Sequence, residues 1–166
     1  LVVAHLLPGR IAYIRLRQFS QGATAMIREE MGRLRRKIEG NFLGLILDLR
    51  NNPGGLVIEA VAICSMFVEK GEVTSFVGAR IPRKTYNVTG KNTEEKYPLV
   101  VLPNRRSASA SELLAGALQM HNRAVILGRQ SYGKGTVQSA GLALGGRFYM
   151  AVTIAQYLIP GDVSIQ

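Results

Sequence analysis

The sequence predicts an α/β fold assembled from βαβ units, with β-hairpins at its flanks. Three observations lead there. Two apolar runs, Leu43-Gly44-Leu45-Ile46-Leu47-Asp48-Leu49 and Leu99-Val100-Val101-Leu102, have the composition of strands covered on both faces. Each runs into a turn rich in Gly, Asn or Ser, at 50–55 and 103–109. Each turn is followed by a segment of helical periodicity. Strand, turn and helix repeated in that order imply parallel strands joined by crossovers. Reacting groups in such sheets gather at the carboxyl ends of the strands, where both turns lie.

The remaining elements follow from periodicity and punctuation. Residues 10–17 alternate as Arg10-Ile11-Ala12-Tyr13-Ile14-Arg15-Leu16-Arg17, the pattern of a half-buried strand. Ile27, Met31, Leu34 and Ile38 recur at helical spacing within 23–39, in a helix that stops near Gly40. The run at 43–49 is the next strand, stopped by Asn51-Asn52-Pro53-Gly54-Gly55, and residues 56–69 return to a helical period before Gly71. Short strands at 72–78 and 82–88 read as a hairpin, and the polar stretch 89–96 as a loop. After the strand at 99–102, Ser107 to Met120 forms a helix rich in small residues. Ala124 to Gly128 is a strand and 130–135 a turn flanked by glycine. Strands at 136–141 and 147–157, joined around Gly145-Gly146, complete the pattern.

A length of 166 residues suits a single domain, 1–166, with a real core. An apolar fraction of 47% against 19% charged residues describes a globular chain. No apolar run approaches the roughly 20 residues of a membrane span. Cys64, the single cysteine, lies in an apolar helical context and is expected as a buried, inert thiol. No cysteine-based metal site can be built from it, and with only His5 and His121 present a site of three histidines is excluded. The net charge of +10 is densest at Arg33-Leu34-Arg35-Arg36-Lys37, with a second cluster at Arg80, Arg83 and Lys84. The helical period places the arginines opposite the apolar stripe, as a solvated face. No base-stacking aromatic pattern accompanies them, so no nucleic acid is expected as a partner.

Three segments carry chemistry-bearing residues. In Ser107-Ala108-Ser109-Ala110-Ser111-Glu112, Ser109 and Glu112 fit a capping box. The same helix start also suits a nucleophile, because outward amides and the helix dipole favour negative charge there. An oxyanion formed on Ser109 would then meet the Ala110 N–H. In Ser131-Tyr132-Gly133-Lys134-Gly135-Thr136, Gly135 stands where a phosphate loop requires Ser or Thr. Lys134 acting as a base would need burial, which favours its neutral form; the alternative is an exposed loop lysine. Gln138, four residues on, shares a face with Lys134 if the segment is extended. The Asn51-Asn52-Pro53-Gly54-Gly55 turn needs glycine for positive φ, and its amides can also supply an oxyanion donor.

These three segments, with the strand around Tyr13-Ile14-Arg15-Leu16 and the ending Pro160-Gly161-Asp162-Val163-Ser164-Ile165-Gln166, resemble the carboxyl-terminal processing (tail-specific) proteases. The resemblance runs from about residue 10 to the last residue. It implies a ClpP/crotonase-like α/β core and a serine endopeptidase cleaving near protein C-termini, with no cofactor. It implies Ser109 as nucleophile, Lys134 as general base and Gln138 as the group that holds the lysine. The oxyanion donors carry over to Ala110 and one glycine of the pair, Gly55 ahead of Gly54. Some family members carry an aspartate near the end of the helix after the serine, where this sequence reads Gln119-Met120-His121. The resemblance further implies protein or peptide tails as substrates, room for a homo-oligomer, and a cell envelope, periplasm or equivalent exported compartment. Its members carry a PDZ domain upstream of the strand near Tyr13, so the chain reads as a protease core without that module. The alternative is a non-catalytic binding module on the same fold.

Overall fold

The computed structural model describes residues 1–79, 81–90, 94, 97–138, 142–143 and 149–166. The elements in order are β1 (Val2–Leu7), β2 (Ile11–Leu16), α1 (Ala23–Arg35), β3 (Gly44–Asp48), α2 (Val57–Cys64), β4 (Glu72–Gly78), β5 (Ile81–Asn87) and β6 (Leu99–Leu102). They continue with α3 (Ala110–Met120), β7 (Val125–Ile126), β8 (Thr136–Gln138), β9 (Leu142–Ala143), β10 (Tyr149–Met150), β11 (Thr153–Ile159) and β12 (Val163–Ser164). One sheet has the order β1-β2-β3-β6-β7, in which β2, β3, β6 and β7 are parallel and β1 is antiparallel to β2. The second sheet runs β12-β11-β4-β5, with β8 paired to β11, and is antiparallel. The α/β class and the βαβ units expected from the sequence are therefore present.

The alternation in β2 decides which face is core. Ala12, Ile14 and Leu16 are fully buried, and the register aligns Ile14 with Leu47 of β3 and Leu47 with Val101 of β6. Against this face pack Ile27, Met31 and Leu34 of α1, Ile63 and Cys64 of α2, and Leu114 and Leu118 of α3. Leu113 of α3 points the other way, onto Tyr157 and Ile159 of β11. The helix carrying Ser109 at its start is thus held between two sheets. The α1 N-terminus is capped by Glu59 of α2, whose carboxylate accepts the Gly22 and Thr24 amides at 2.7 and 2.9 Å.

The structure corrects several sequence expectations. Helix α1 stops at Arg35, because the next amides bond three residues back, Lys37 to Leu34 and Ile38 to Arg35. Helix α2 likewise ends at Cys64, where Met66 and Phe67 form the same tight turns. The helix after the serine motif begins at Ala110 rather than Ser107. The second face of β3 and β6 is covered less completely than the first: Ile46, Val100 and Leu102 are half-buried there, while Gly44 and Asp48 are buried. β1, unread in the sequence, forms a hairpin with β2 through the turn at Pro8-Gly9-Arg10. Arg80, the joint at Gly145-Gly146 and part of the strands at 136–141 and 147–157 lie outside the described residues.

Three arginines of the basic runs are paired with carboxylates. Arg33 bonds Glu30 on its own helix, Arg35 bonds Glu94, and Arg83 bonds Asp162. Cys64 is fully buried, and burial pushes its thiol up to about 12. Among the described residues, no helix is long and apolar enough to cross a membrane, and no three His, Cys, Asp or Glu gather as metal ligands.

Candidate active site

The parallel sheet delivers two loops to one place, the carboxyl ends of β3 and β6. Beneath the first loop, Asp48 ends β3 with no exposure at all. Arg50 grips it with Nε at 2.9 Å, a terminal nitrogen at 2.7 Å and its own amide at 2.9 Å, and Tyr13 Oη donates to the same carboxylate. Burial alone would push this carboxyl up, but the Arg50 and Tyr13 hydrogen bonds outweigh it and hold it below the usual carboxylate range. This anchor fixes where the Asn51–Gly55 turn begins.

Asn52, fully buried, organises the turn. Its Nδ2 donates to the Leu16 carbonyl at 3.0 Å and its Oδ1 accepts the Gly54 N–H at 2.9 Å. Its backbone carbonyl reaches across to the second loop, accepting the Ala108 N–H at 3.1 Å and Ser111 Oγ at 2.9 Å. Asn51 and Asn104 add a reciprocal pair, with both bonds at 3.0 Å, and Ser107 Oγ donates to the Leu49 carbonyl at 2.8 Å. The asparagine doublet was legible in the sequence only as a turn signal. Its bonds to residues more than fifty positions away were not.

Ser109 stands at the N-cap of α3 with φ 55° and ψ −118°. That is the first central position of a type II′ turn, closed here by the Ser111 N–H on the Ala108 carbonyl at 3.2 Å, and it favours glycine. A serine held there costs about 1–3 kcal/mol, strain of the kind that clusters at functional sites. Gly54 lies directly against it: a Cβ at Gly54 would fall 2.6 Å from the Ala108 oxygen and 2.9 Å from both Ala110 N and Ser109 Cβ.

Two amides lie free among the described residues, one next to Ser109 in the chain and one next to Gly54, which packs on Ser109. The Ala110 N–H has no partner among the described residues, as expected for the first residue of a helix. Gly55 forms a parallel bridge with Phe19: Phe19 N–H donates to Gly54 O at 2.9 Å and Leu56 N–H to Phe19 O at 2.7 Å. The amide of the middle residue in such a bridge faces away from the partner strand, and the Gly55 N–H has no partner among the described residues. The Gly54 N–H, by contrast, is engaged by Asn52.

The third segment arrives through Glu112. Its Oε2 accepts the Ser109 N–H at 2.7 Å and the Lys134 N–H at 2.9 Å, while Oε1 accepts the Gly133 N–H at 2.5 Å. The sequence had shown Glu112 only as a helix cap. Tyr132 N–H donates to the Ser107 carbonyl at 3.0 Å, tying the same loop a second time. The side chains of Lys134 and Gln138 both line a cleft of about 670 Å³ with Arg106, Ala108 and Tyr132. Both are exposed, so the burial that a lysine base needs is not met by this arrangement; Lys134 lies just ahead of β8, on a loop open to solvent.

Comparison with known proteins gives this geometry a context. Residues 10–166 match the model of Peptidase family S41. The chain is 42% identical to the carboxy-terminal-processing protease of Bartonella bacilliformis, over 99% of its own length and 38% of that protein's. It is 36% identical to the chloroplastic C-terminal processing peptidase of Tetradesmus obliquus, over 94% of its length and 33% of that protein's. Among solved structures, the photosystem II D1 C-terminal processing protease superposes with a TM-score of 0.83 at 37% identity, covering 96% of this chain and 42% of that one. The chain therefore spans well under half the length of these relatives.

Proposed function

Because the chain belongs to peptidase family S41, we propose that it hydrolyses peptide bonds near the C-termini of protein substrates, with Ser109 as nucleophile and Lys134 as general base. The observation that carries this reading is a strained Ser109 with two amides unpartnered among the described residues, Ala110 N–H next to it in the chain and Gly55 N–H next to Gly54, which packs on it. In the first step, Lys134 takes the Ser109 Oγ proton as the oxygen attacks the scissile carbonyl. The two amides stabilise the oxyanion, a contribution worth about 3–4 kcal/mol per donor in comparable sites. Lys134 then gives its proton to the leaving amine, and the acyl group remains on Ser109. Water, deprotonated by Lys134, attacks that ester; as the acyl–Oγ bond breaks, Lys134 returns the proton to Ser109 Oγ and the second product leaves as the acid. Gln138, on the same cleft wall, is proposed to hold the lysine amine.

The same reading extends to the whole protein: peptide tails as substrates, a PDZ domain in the full chain to deliver them, and an exported compartment such as the bacterial periplasm. The exposure of Lys134 favours a second reading, a non-catalytic module that binds peptides on this fold. Turnover of casein and of a tailed peptide by the full chain, beside Ser109→Ala and Lys134→Ala, separates the two. A protease loses turnover in both variants. Turnover retained in either one removes the dyad, and peptide binding without any turnover selects the second reading.

A further inference from the structure

The cleft on which Lys134 and Gln138 open has a chemical bias. Its about 670 Å³ is within the range of pockets that bury a small ligand, and suits a short peptide rather than a folded chain. Beyond Lys134 its wall includes Pro53, Ala108, Tyr132, Arg106 and Gln166, and among the described residues no Asp or Glu lines it. Glu112, the carboxylate nearest the lysine loop, is already committed to three backbone amides. The Arg106 backbone is held, its N–H on Asn104 Oδ1 at 3.0 Å, but its guanidinium has no partner among the described residues. Arg33, Arg35, Arg50 and Arg83, in contrast, all meet carboxylates. Arg106 is thus an unneutralised planar cation at the edge of the candidate active site, with the exposed Tyr132 ring on the same cleft.

The proposed mechanism assigns a direction to this cleft. The group that protonates the leaving amine must lie on the leaving side of the scissile bond, so the peptide released first runs along the wall that Lys134 shares with Arg106. We infer that this cleft is the leaving-peptide subsite and that Arg106 binds the terminal α-carboxylate of a short tail. A guanidinium presents two parallel N–H donors that match a carboxylate, and such charge-assisted pairs are about twice as strong as neutral ones. Arg106 would select for a chain end independently of any other tail-binding module. The inference rests on the dyad reading above for its direction, but its test does not depend on turnover alone.

Two peptides that differ only in ending as a free acid or an amide a few residues past the cleaved bond provide the test, assayed with the full chain. The free acid is expected to have a kcat/KM about tenfold higher, as for one charge-assisted hydrogen-bonded pair at a partly solvated site. The ratio falls toward one in Arg106→Gln and narrows as salt is raised, while Arg105→Gln, exposed but outside the cleft, keeps it. Equal efficiency for acid and amide overturns the proposal, as does a preference that survives Arg106→Gln. An amidated peptide with glutamate in last place that matches the free acid would overturn the α-carboxylate assignment. If no peptide is cleaved, and Ser109→Ala behaves as the wild type, the dyad reading has failed instead. Binding of the short tail as acid or amide, followed by fluorescence anisotropy, still decides the role of Arg106 in that case.

Discussion

Glu112 Oε2 accepts the Lys134 N–H at 2.9 Å and, with the same oxygen, the Ser109 N–H at 2.7 Å. One buried carboxylate therefore sets the distance between the backbones of the two proposed reacting residues, which come from loops after different strands. Capping the helix and aligning the loops are a single contact.

Glu112→Gln keeps the shape but replaces one acceptor oxygen with a donor, which opposes an amide N–H instead of receiving it. A stability loss of about 1–3 kcal/mol is expected from the unsatisfied group. A fall in kcat on the order of 100-fold is expected from misplacement of the reacting groups. Thermal melts beside steady-state kinetics check both; a lowered melting temperature with unchanged kcat would leave Glu112 a purely structural residue.

The positive φ of Ser109 makes opposite demands on its two simplest replacements. Ser109→Ala and Ser109→Gly both remove the proposed nucleophile, yet glycine tolerates the conformation and alanine does not. Ser109→Gly should be the more stable by about 0.5–1 kcal/mol, roughly 1–4 °C in melting temperature for a domain of this size. The reverse order in calorimetry would contradict the strained turn.

Neither glycine of the turn should accept a side chain. A Cβ at Gly55 would lie 2.3 Å from the Phe19 carbonyl oxygen, and one at Gly54 would press on Ser109 and Ala110. With φ of 139° and 98° added to these clashes, Gly55→Ala and Gly54→Ala should each lose at least about 2 kcal/mol in urea unfolding. Gly54→Ala should also lose activity in the fraction that remains folded, because its methyl displaces the proposed nucleophile, Ser109.

The Asp48 anchor gives a pH dependence of known sign. Its carboxyl is held below the ordinary value near 3.9, so its contribution is fully present above that pH and is lost as pH falls through the lower folded-state value. Asp48→Asn should be less stable than the wild type at neutral pH by about 1–3 kcal/mol, a figure reduced because Arg50 is 48% exposed. The difference should shrink below about pH 4. Unfolding curves of the two proteins at pH 7 and pH 3 that differ by the same amount would count against this assignment.

Much of the fold was legible because it is written in local pattern. The alternation of residues 10–17 gave β2 its buried face, the apolar runs gave β3 and β6, and glycine and asparagine marked the turns that follow them. The order of the serine, lysine and Asn-Pro-Gly-Gly motifs carried the family resemblance, because each motif is contiguous. Helix ends were less legible, since the apolar stripe continues through tight turns that no longer bond in the α pattern.

Tertiary structure alone decided the rest. Which glycine has a free amide depends on a bridge to Phe19, thirty-six residues earlier in the chain. The clasp between Glu112 and Lys134 joins positions 22 residues apart, and the openness of Lys134 depends on what surrounds its loop. Among the described residues Arg106 has no carboxylate partner and no acid lines its cleft, which no local spacing records. Periodicity reports only what a residue's near neighbours along the chain require. The direction of an amide, the triple use of a carboxylate and the vacancy of a guanidinium are set by contacts between distant segments, which exist only once the sheet has brought its strand ends together.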